Sequence, residues 1–197
     1  MRWGSAYLPV PEVLEQGSSA GVSWLLTRGL PGVNATDDTL TAAPEQLVEL
    51  LGRALARFHR APIDACPFDF RLDEALARVR ARAGLINPAR FHPEHAHLSV
   101  DDALAILERD RPQTEDRVVC HGDYCLPNIL VHDGETVGFV DLGELGVADR
   151  HWDLAVATWS ATWNLGPGHE HRLLAAYGIE PDPDRIAYYR LLYDLAS

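Results

Sequence analysis

The chain has 197 residues, 47% of them hydrophobic, which is enough to bury a sizeable core as one domain, or as one lobe plus a fragment. Its formal net charge of −12 leaves no basic stripe to neutralise phosphates, so we expect no nucleic-acid partner. We also expect a cytoplasmic protein with no membrane partner, because the chain has no bilayer-length apolar run, no charged-then-apolar leader and no even disulfide framework among its three cysteines.

Two β-prone runs lie near the start of the chain, Pro11 to Gln16 and Val22 to Thr27, with a turn between them. A turn-rich stretch from Gly29 to Thr41 follows. Between Pro44 and Ala61 the apolar residues recur at helical spacing, which predicts a helix with one buried face.

The remainder of the chain is predicted to be mostly helical. A second helix spans Phe70 to Ala83, and a third begins at Ser99, a residue type that suits an N-cap. A short strand is expected at Arg117 to Cys120. Further helices are predicted over Ala148 to Trp163, His169 to Tyr177 and Asp184 to Ala196.

The most informative stretch is HGDYCLPN at residues 121–128, which a predicted β-hairpin follows. The apolar run Ile129 to His132, the turn signal Asp133-Gly134 and the β-prone run Thr136 to Val140 predict this hairpin. In an antiparallel hairpin, the residue before the first strand and the residue after the second lie at the same end. Asn128 and Asp141 are those residues, so we expect their side chains to converge opposite the turn.

Asp123 precedes Asn128 by five residues, which adds a second carboxylate near the same end. Oxygen ligands of this kind suit Mg²⁺, which prefers a few carboxylates plus substrate phosphates to a closed protein cage. The pattern Asp-x4-Asn followed by Asp-x-Gly is the layout of a kinase catalytic loop and its metal-binding carboxylate. The alternative is that Asp123, Asn128 and Asp141 only cap turns.

The order of these motifs resembles the antibiotic kinases of the aminoglycoside 3′-phosphotransferase type. The resemblance is carried by HGD-x4-N, a hairpin, D-x-G and then G-x-A-D-R at residues 146–150. It extends to Cys66 to Asp69, Tyr177 to Ile179 and Arg185 to Leu192. The resemblance implies an ATP-dependent phosphotransferase that acts on a hydroxyl group of a small molecule, with an aminoglycoside-type antibiotic as the first expectation.

The fold implied by the resemblance is α+β and protein-kinase-like. It would consist of a mostly helical C-terminal lobe with a catalytic β-hairpin, plus the last strands of a truncated N-terminal lobe. Residues 1–33 would be the remnant of the N-terminal lobe with the hinge. Residues 34–197 would be the helical lobe that carries catalysis and substrate binding.

The resemblance also implies roles for single residues near the hairpin. Asp123 would be the catalytic carboxylate that orients the attacking hydroxyl and accepts its proton. Asn128 and Asp141 would hold the Mg²⁺ ions that bridge the phosphates of ATP. His121 and Gly143 would be supporting residues, with His121 orienting its neighbours rather than acting as an acid or base.

Further binding residues implied by the resemblance lie away from the hairpin. Backbone groups around Arg28 and Leu30 would bind the adenine edge of ATP. Glu94 and Asp194 would bind the substrate, although the family's substrate surface is usually richer in carboxylates. The net charge of −12 is compatible with a cationic small-molecule substrate.

Several features depart from the family pattern. All seventeen basic residues are arginine, whereas kinases of this architecture grip phosphates with a lysine. Glu144 stands where the resistance kinases usually have arginine, which adds repulsion near the phosphates unless it turns away or binds a cation. A catalytically weak or silent kinase-like substrate-binding module therefore remains an alternative. We expect His92, His95 and His97 to be surface histidines rather than a zinc site.

Overall fold

The computed structural model describes residues 1–196. The strands are β1 (Val13–Ser19), β2 (Val22–Thr27), β3 (Val33–Asn34), β4 (Arg117–Cys120), β5 (Ile129–His132), β6 (Glu135–Phe139) and β7 (Gly146–Asp149). The helices are α1 (Asp38–Thr41), α2 (Pro44–Phe58), α3 (Leu72–Arg82), α4 (Val100–Arg109), α5 (His151–Leu165), α6 (Glu170–Tyr177) and α7 (Pro183–Ala196). This mixture confirms the predicted α+β class. Over residues 1–196, no helix combines the length and apolar character that crossing a membrane requires.

The strands form small antiparallel sheets. β1 pairs with β2, β5 lies between β3 and β6, and β4 pairs with β7. The β5–β6 hairpin turns at Asp133 and Gly134, whose φ angles are 48° and 75°. Positive φ at both positions is what a tight two-residue hairpin requires, and Asp-Gly adopts it readily. The predicted hairpin is therefore confirmed.

Helices α2 and α6 pack closely against each other. The buried face of α2 includes Leu51 and Leu55, neither of which is exposed. A Cβ atom at Gly52 would lie 2.4 Å from the carbonyl oxygen of Leu173 on α6. Glycine at this position therefore permits the close approach of the two helix backbones.

Helix α5 lies in the centre of the core and packs against α7. Its residues from His151 to Ala161 are all buried. The predicted start of this helix at Ala148 is wrong, because Ala148 lies in β7 and pairs with Val118 of β4. The helix begins instead at His151, directly after that strand, so the end of β7 and the start of α5 are close in space.

Candidate active site

The open end of the β5–β6 hairpin holds two of the predicted site residues. Ile129 pairs with Phe139, and the N–H of Val140 donates to the carbonyl oxygen of Asn128 at 2.9 Å. Asn128 and Asp141 therefore flank the same end of the hairpin, as expected. Asn128 is buried, whereas Asp141 is exposed and has a left-handed φ of 56°, a conformation that aspartate tolerates better than most residues.

Both oxygens of the Asp123 carboxylate accept hydrogen bonds. The side-chain amide of Asn128 donates to Oδ2 at 2.8 Å and to the backbone carbonyl of Asp123 at 3.0 Å. The hydroxyl of Tyr193 on α7 donates to Oδ1 at 2.9 Å. The amide nitrogen of Asn128 is thus used by Asp123. The amide oxygen of Asn128, Oδ1, accepts no hydrogen bond within residues 1–196, so it is available to a cation.

The loop that carries Asp123 is held by a buried carboxylate, Asp153 of α5. The carboxylate accepts the backbone N–H of His121 at 2.7 Å and that of Gly122 at 2.9 Å. Nε2 of His59 lies 2.9 Å from the same side chain. Asp153 is fully buried, so these donors replace water around its charge. No motif predicted a role for Asp153, although a carboxylate inside the apolar stretch HWDLAVAT was a usable signal.

The ring of His121 is buried within the same loop. Its Nε2 donates to the carbonyl oxygen of Val140 at 3.0 Å, and its Nδ1 accepts the N–H of Asp123 at 3.2 Å. Burial lowers the pKa of His121, and a neutral ring with the proton on Nε2 satisfies both contacts. His121 thereby links the Asp123 loop to the residue that precedes Asp141.

The two glycines of the motifs differ in what the structure requires of them. Gly122 has a φ of 91°, and a Cβ atom there would lie 2.4 Å from the carbonyl oxygen of Glu144. Only glycine fits such a position without a backbone shift. At Gly143 a Cβ atom would meet only Oδ1 of Asp141, at 3.9 Å, which is ordinary contact.

Glu144 lines a cavity together with Arg78 and Arg82. Burial, together with the charges of Asp123 and Asp141, raises the pKa of Glu144 to about 7, and the positive charges of Arg82 and Arg78 oppose that rise. The site therefore has excess negative charge. Carboxylate and amide oxygens in such a field are the donor set that Mg²⁺ takes in proteins, so the residues present fit this ion.

Asp194, one predicted substrate residue, already has internal partners. Its Oδ2 accepts the backbone N–H of His92 at 3.1 Å and lies 2.5 Å from Nδ1 of His95. The expectation of surface histidines is thus wrong for these two, whose side chains are 17% and 13% exposed. Nε2 of His92 also accepts the indole N–H of Trp163 at 2.9 Å. His97 is exposed, as expected.

Glu94, the other predicted substrate residue, lies in the same region. Its Oε2 accepts the indole N–H of Trp159 at 3.2 Å, and its Oε1 lies 3.7 Å from the guanidinium of Arg190. The Glu94 side chain is half exposed, so it keeps free acceptor positions. The structure therefore places Glu94 and Asp194 in one cluster and leaves Glu94 the more accessible.

The predicted hinge residues lie beside the hairpin. The backbone N–H of Arg28 donates to the carbonyl oxygen of Glu12 at 2.9 Å, and the two side chains also pair. Leu30 packs closely over Gly138 of β6, and a Cβ atom at Gly138 would lie 2.2 Å from Cδ1 of Leu30. Within residues 1–196, the backbone of Leu30 has no hydrogen-bond partner. Its N–H is therefore available to a ligand, whereas that of Arg28 is not.

Comparison with known proteins gives consistent matches along the chain. The family model described as the phosphotransferase enzyme family matches residues 1–189. An aminoglycoside 3′-phosphotransferase of Streptomyces fradiae is 38% identical over 195 residues, which cover 94% of this chain and 72% of that protein. A streptomycin 3″-kinase of Streptomyces griseus is 36% identical over 200 residues, covering 92% of this chain and 72% of that protein.

Solved structures agree with these sequence matches. A type VIII aminoglycoside-3′-phosphotransferase is 30% identical with a TM-score of 0.88, over 98% of this chain and 76% of that one. A Streptomyces rimosus aminoglycoside phosphotransferase, solved with ADP and streptomycin, is 33% identical with a TM-score of 0.82, over 99% of this chain and 79% of that one. The predicted kinase-like α+β fold is therefore confirmed.

Proposed function

The chain belongs to the phosphotransferase enzyme family, and we propose that it transfers the γ-phosphoryl group of ATP to a hydroxyl group of an aminoglycoside-type small molecule. The observation that carries this proposal is the contact of Asn128 with the Asp123 carboxylate, at the hairpin end where Asp141 also lies. Relatives named aminoglycoside 3′-phosphotransferase and streptomycin 3″-kinase support a hydroxyl acceptor. The alternative of a silent binding module has no support from these relatives.

In this proposal Asp123 acts on the acceptor hydroxyl. The carboxylate accepts the hydroxyl proton while the hydroxyl oxygen bonds to the γ-phosphorus and the bond from that phosphorus to the β–γ bridging oxygen breaks. ADP leaves with the bridging oxygen, and the proton remains on Asp123. Because phosphoryl transfer depends mainly on positioning and charge neutralisation, the orientation of Asp123 is its main contribution.

We assign Mg²⁺ binding to Oδ1 of Asn128 and the carboxylate of Asp141. The ion, when bound, supplies positive charge that neutralises the nucleotide phosphates. This neutralisation matters here because the 197 residues contain no lysine to pair with the phosphates. His121 and Gly143 are the supporting residues of this assignment, since His121 links the Asp123 loop to Val140 and Gly143 lies beside Asp141.

We assign binding of the adenine edge of ATP to the backbone around Arg28 and Leu30. The free N–H of Leu30 and the carbonyl oxygen of Arg28 are the backbone groups that this role needs. The contact of Leu30 with Gly138 supports the assignment, because it places this segment beside the hairpin that carries the metal ligands. In this proposal, residues 1–33 are the remnant of the N-terminal lobe with the hinge, and residues 34–197 are the helical lobe that carries catalysis and substrate binding.

We assign the acceptor to the region of Glu94 and Asp194. Asp194 follows Tyr193, whose hydroxyl contacts Asp123, so this end of α7 lies beside the proposed base. The half-exposed carboxylate of Glu94 can accept hydrogen bonds from amines of the substrate. The net charge of −12 favours the approach of a cationic molecule.

The test is phosphorylation by the purified chain of kanamycin and streptomycin in parallel, with Mg-ATP. We expect acceptor-dependent formation of ADP and an acceptor mass increased by one phosphoryl group. Asp123→Asn should lower kcat by more than about a hundredfold, since a general base contributes at least that much. Asp73→Asn changes an exposed carboxylate outside the site and should leave kcat unchanged. Absence of acceptor-dependent ADP formation with both compounds would contradict the proposal.

A further inference from the structure

Tyr193 of α7 contacts Asp123, although it lies far in sequence from the HGDYCLPN stretch at residues 121–128. Its hydroxyl donates to Oδ1 at 2.9 Å, while Asn128 donates to Oδ2 at 2.8 Å. Tyr193 lies 70 residues after Asp123 in the chain, and Asn128 lies 5 residues after it. The two donors therefore reach the carboxylate from different elements, and together they restrain its plane.

The phenol of Tyr193 is suited to remain a donor. Burial and the neighbouring charge of Asp123 raise the pKa of Tyr193 well above its ordinary value, so the hydroxyl keeps its proton at neutral pH. A carboxylate offers about four acceptor positions, two on each oxygen. Tyr193 and Asn128 occupy one position on each oxygen, so the carboxylate keeps acceptor capacity for an incoming hydroxyl.

The helix end that carries Tyr193 is itself held in place. Leu192 and Leu195 are buried in the core on either side of it in sequence. The next residue, Asp194, is tied to His95 in the loop before α4 at 2.5 Å. The hydroxyl of Tyr193 therefore has a defined position relative to the Asp123 loop.

We propose that Tyr193 is a positioning residue that fixes the orientation of the Asp123 carboxylate for phosphoryl transfer, through the hydrogen bond from its hydroxyl to Oδ1. This inference rests on the proposed function, in which Asp123 receives the acceptor proton. Hydrogen bonds to a charged group are stronger than neutral ones. Small misplacements of a reacting group reduce the rate of reaction strongly. Loss of the hydroxyl therefore reduces turnover more than substrate binding.

The first experiment measures steady-state phosphorylation of kanamycin by Mg-ATP with Tyr193→Phe. We expect kcat to fall about tenfold, while KM for kanamycin and KM for ATP stay within about twofold of the wild-type values. An unchanged kcat overturns the proposal. A lower KM for kanamycin at unchanged kcat also overturns it, because the phenol would then compete with the acceptor for Oδ1.

Tyr189→Phe is the matched control on the same helix. The hydroxyl of Tyr189 is buried and has no hydrogen-bond partner within residues 1–196. This variant makes the same chemical change without touching Asp123, so kcat and both KM values should stay unchanged. A loss of kcat equal to that of Tyr193→Phe would show that any phenol of α7 has this effect, and would overturn the proposal.

A double-mutant cycle in urea unfolding tests the hydrogen bond without relying on activity. Tyr193→Phe should lower the urea midpoint when Asp123 is present and leave it unchanged in the Asp123→Ala background. Additive shifts overturn the Tyr193 proposal even in an active enzyme. If the wild-type chain phosphorylates neither kanamycin nor streptomycin, the proposed function fails, and the cycle still decides whether Tyr193 holds Asp123.

Discussion

Asp153 is the residue whose replacement should test most directly how the Asp123 loop is held. Asp153→Asn keeps the shape of the side chain, removes its charge and converts one acceptor oxygen into an N–H₂ donor. In the wild type, Oδ2 accepts from His121 and faces His59, while Oδ1 accepts the N–H of Gly122. Whichever way the asparagine amide is oriented, at least one buried donor then faces another donor.

The expected loss of stability follows from these contacts. A buried donor without a partner costs about 1–3 kcal/mol. Hydrogen bonds that remain lose a charged acceptor, and each is expected to weaken by about 1 kcal/mol. Removal of the fully buried charge of Asp153 also removes its desolvation cost, which offsets part of this loss. The net expectation is a decrease of about 2–4 kcal/mol in the free energy of unfolding, a large share of the roughly 5–15 kcal/mol typical of a domain.

The assay is urea denaturation followed by circular dichroism, with kanamycin phosphorylation measured in parallel. The urea midpoint of Asp153→Asn should fall while the slope m is unchanged, and kcat should fall because the Asp123 loop loses its support. Asp73→Asn is the control, because the Asp73 side chain is 81% exposed and its pair with Arg111 lies at the surface. Its free energy of unfolding should change by no more than about 1 kcal/mol. If the two variants have equal midpoints, the carboxylate of Asp153 does not hold the loop.

Three further predictions concern the site and the core. Burial raises the pKa of Glu144 to about 7 from its ordinary 4.5, so the contribution of this group to the stability of the metal-free protein should be lost as pH rises across that range. Glu144→Gln should remove about 1 kcal/mol of this pH dependence, a value discounted for partial exposure, and an unchanged urea-midpoint profile would contradict it. Burial lowers the pKa of His121, so this residue acts in the opposite sense, and its own contribution to stability should be lost as pH drops below about 6.5. The difference in urea midpoint between the wild type and His121→Gln should therefore shrink below that pH. Gly52→Ala should lower the free energy of unfolding by about 2 kcal/mol through overpacking against α6. Gly84→Ala is the control, because a Cβ atom at Gly84 would meet no other atom. Equal thermal midpoints of the two variants would refute this account of the helix contact.

Local sequence was sufficient to predict the β5–β6 hairpin and the position of its two flanking residues at one end. The Asp-Gly turn and the two β-prone runs lie within about a dozen residues, and pairing between such close segments follows from turn geometry. Asn128 and Asp141 were therefore located correctly at one end. The amphipathic helix from Pro44 was also recognised, because the spacing of its apolar residues directly reports a helical face.

Tertiary structure decided the contacts that orient the site. Asp153 lies 32 and 31 residues after the two backbone N–H groups it binds, and Tyr193 lies 70 residues after Asp123. No local pattern reports which distant side chain will reach a given group. The same reason explains the misplaced start of α5, because Ala148 forms a strand only through pairing with β4. It also explains why His95 was wrongly expected at the surface, since its partner Asp194 lies 99 residues away. The sequence by itself determined the motif residues and their local order, whereas long-range packing decided how Asp123 is held, because buried polar groups take whichever partners the folded chain brings to them.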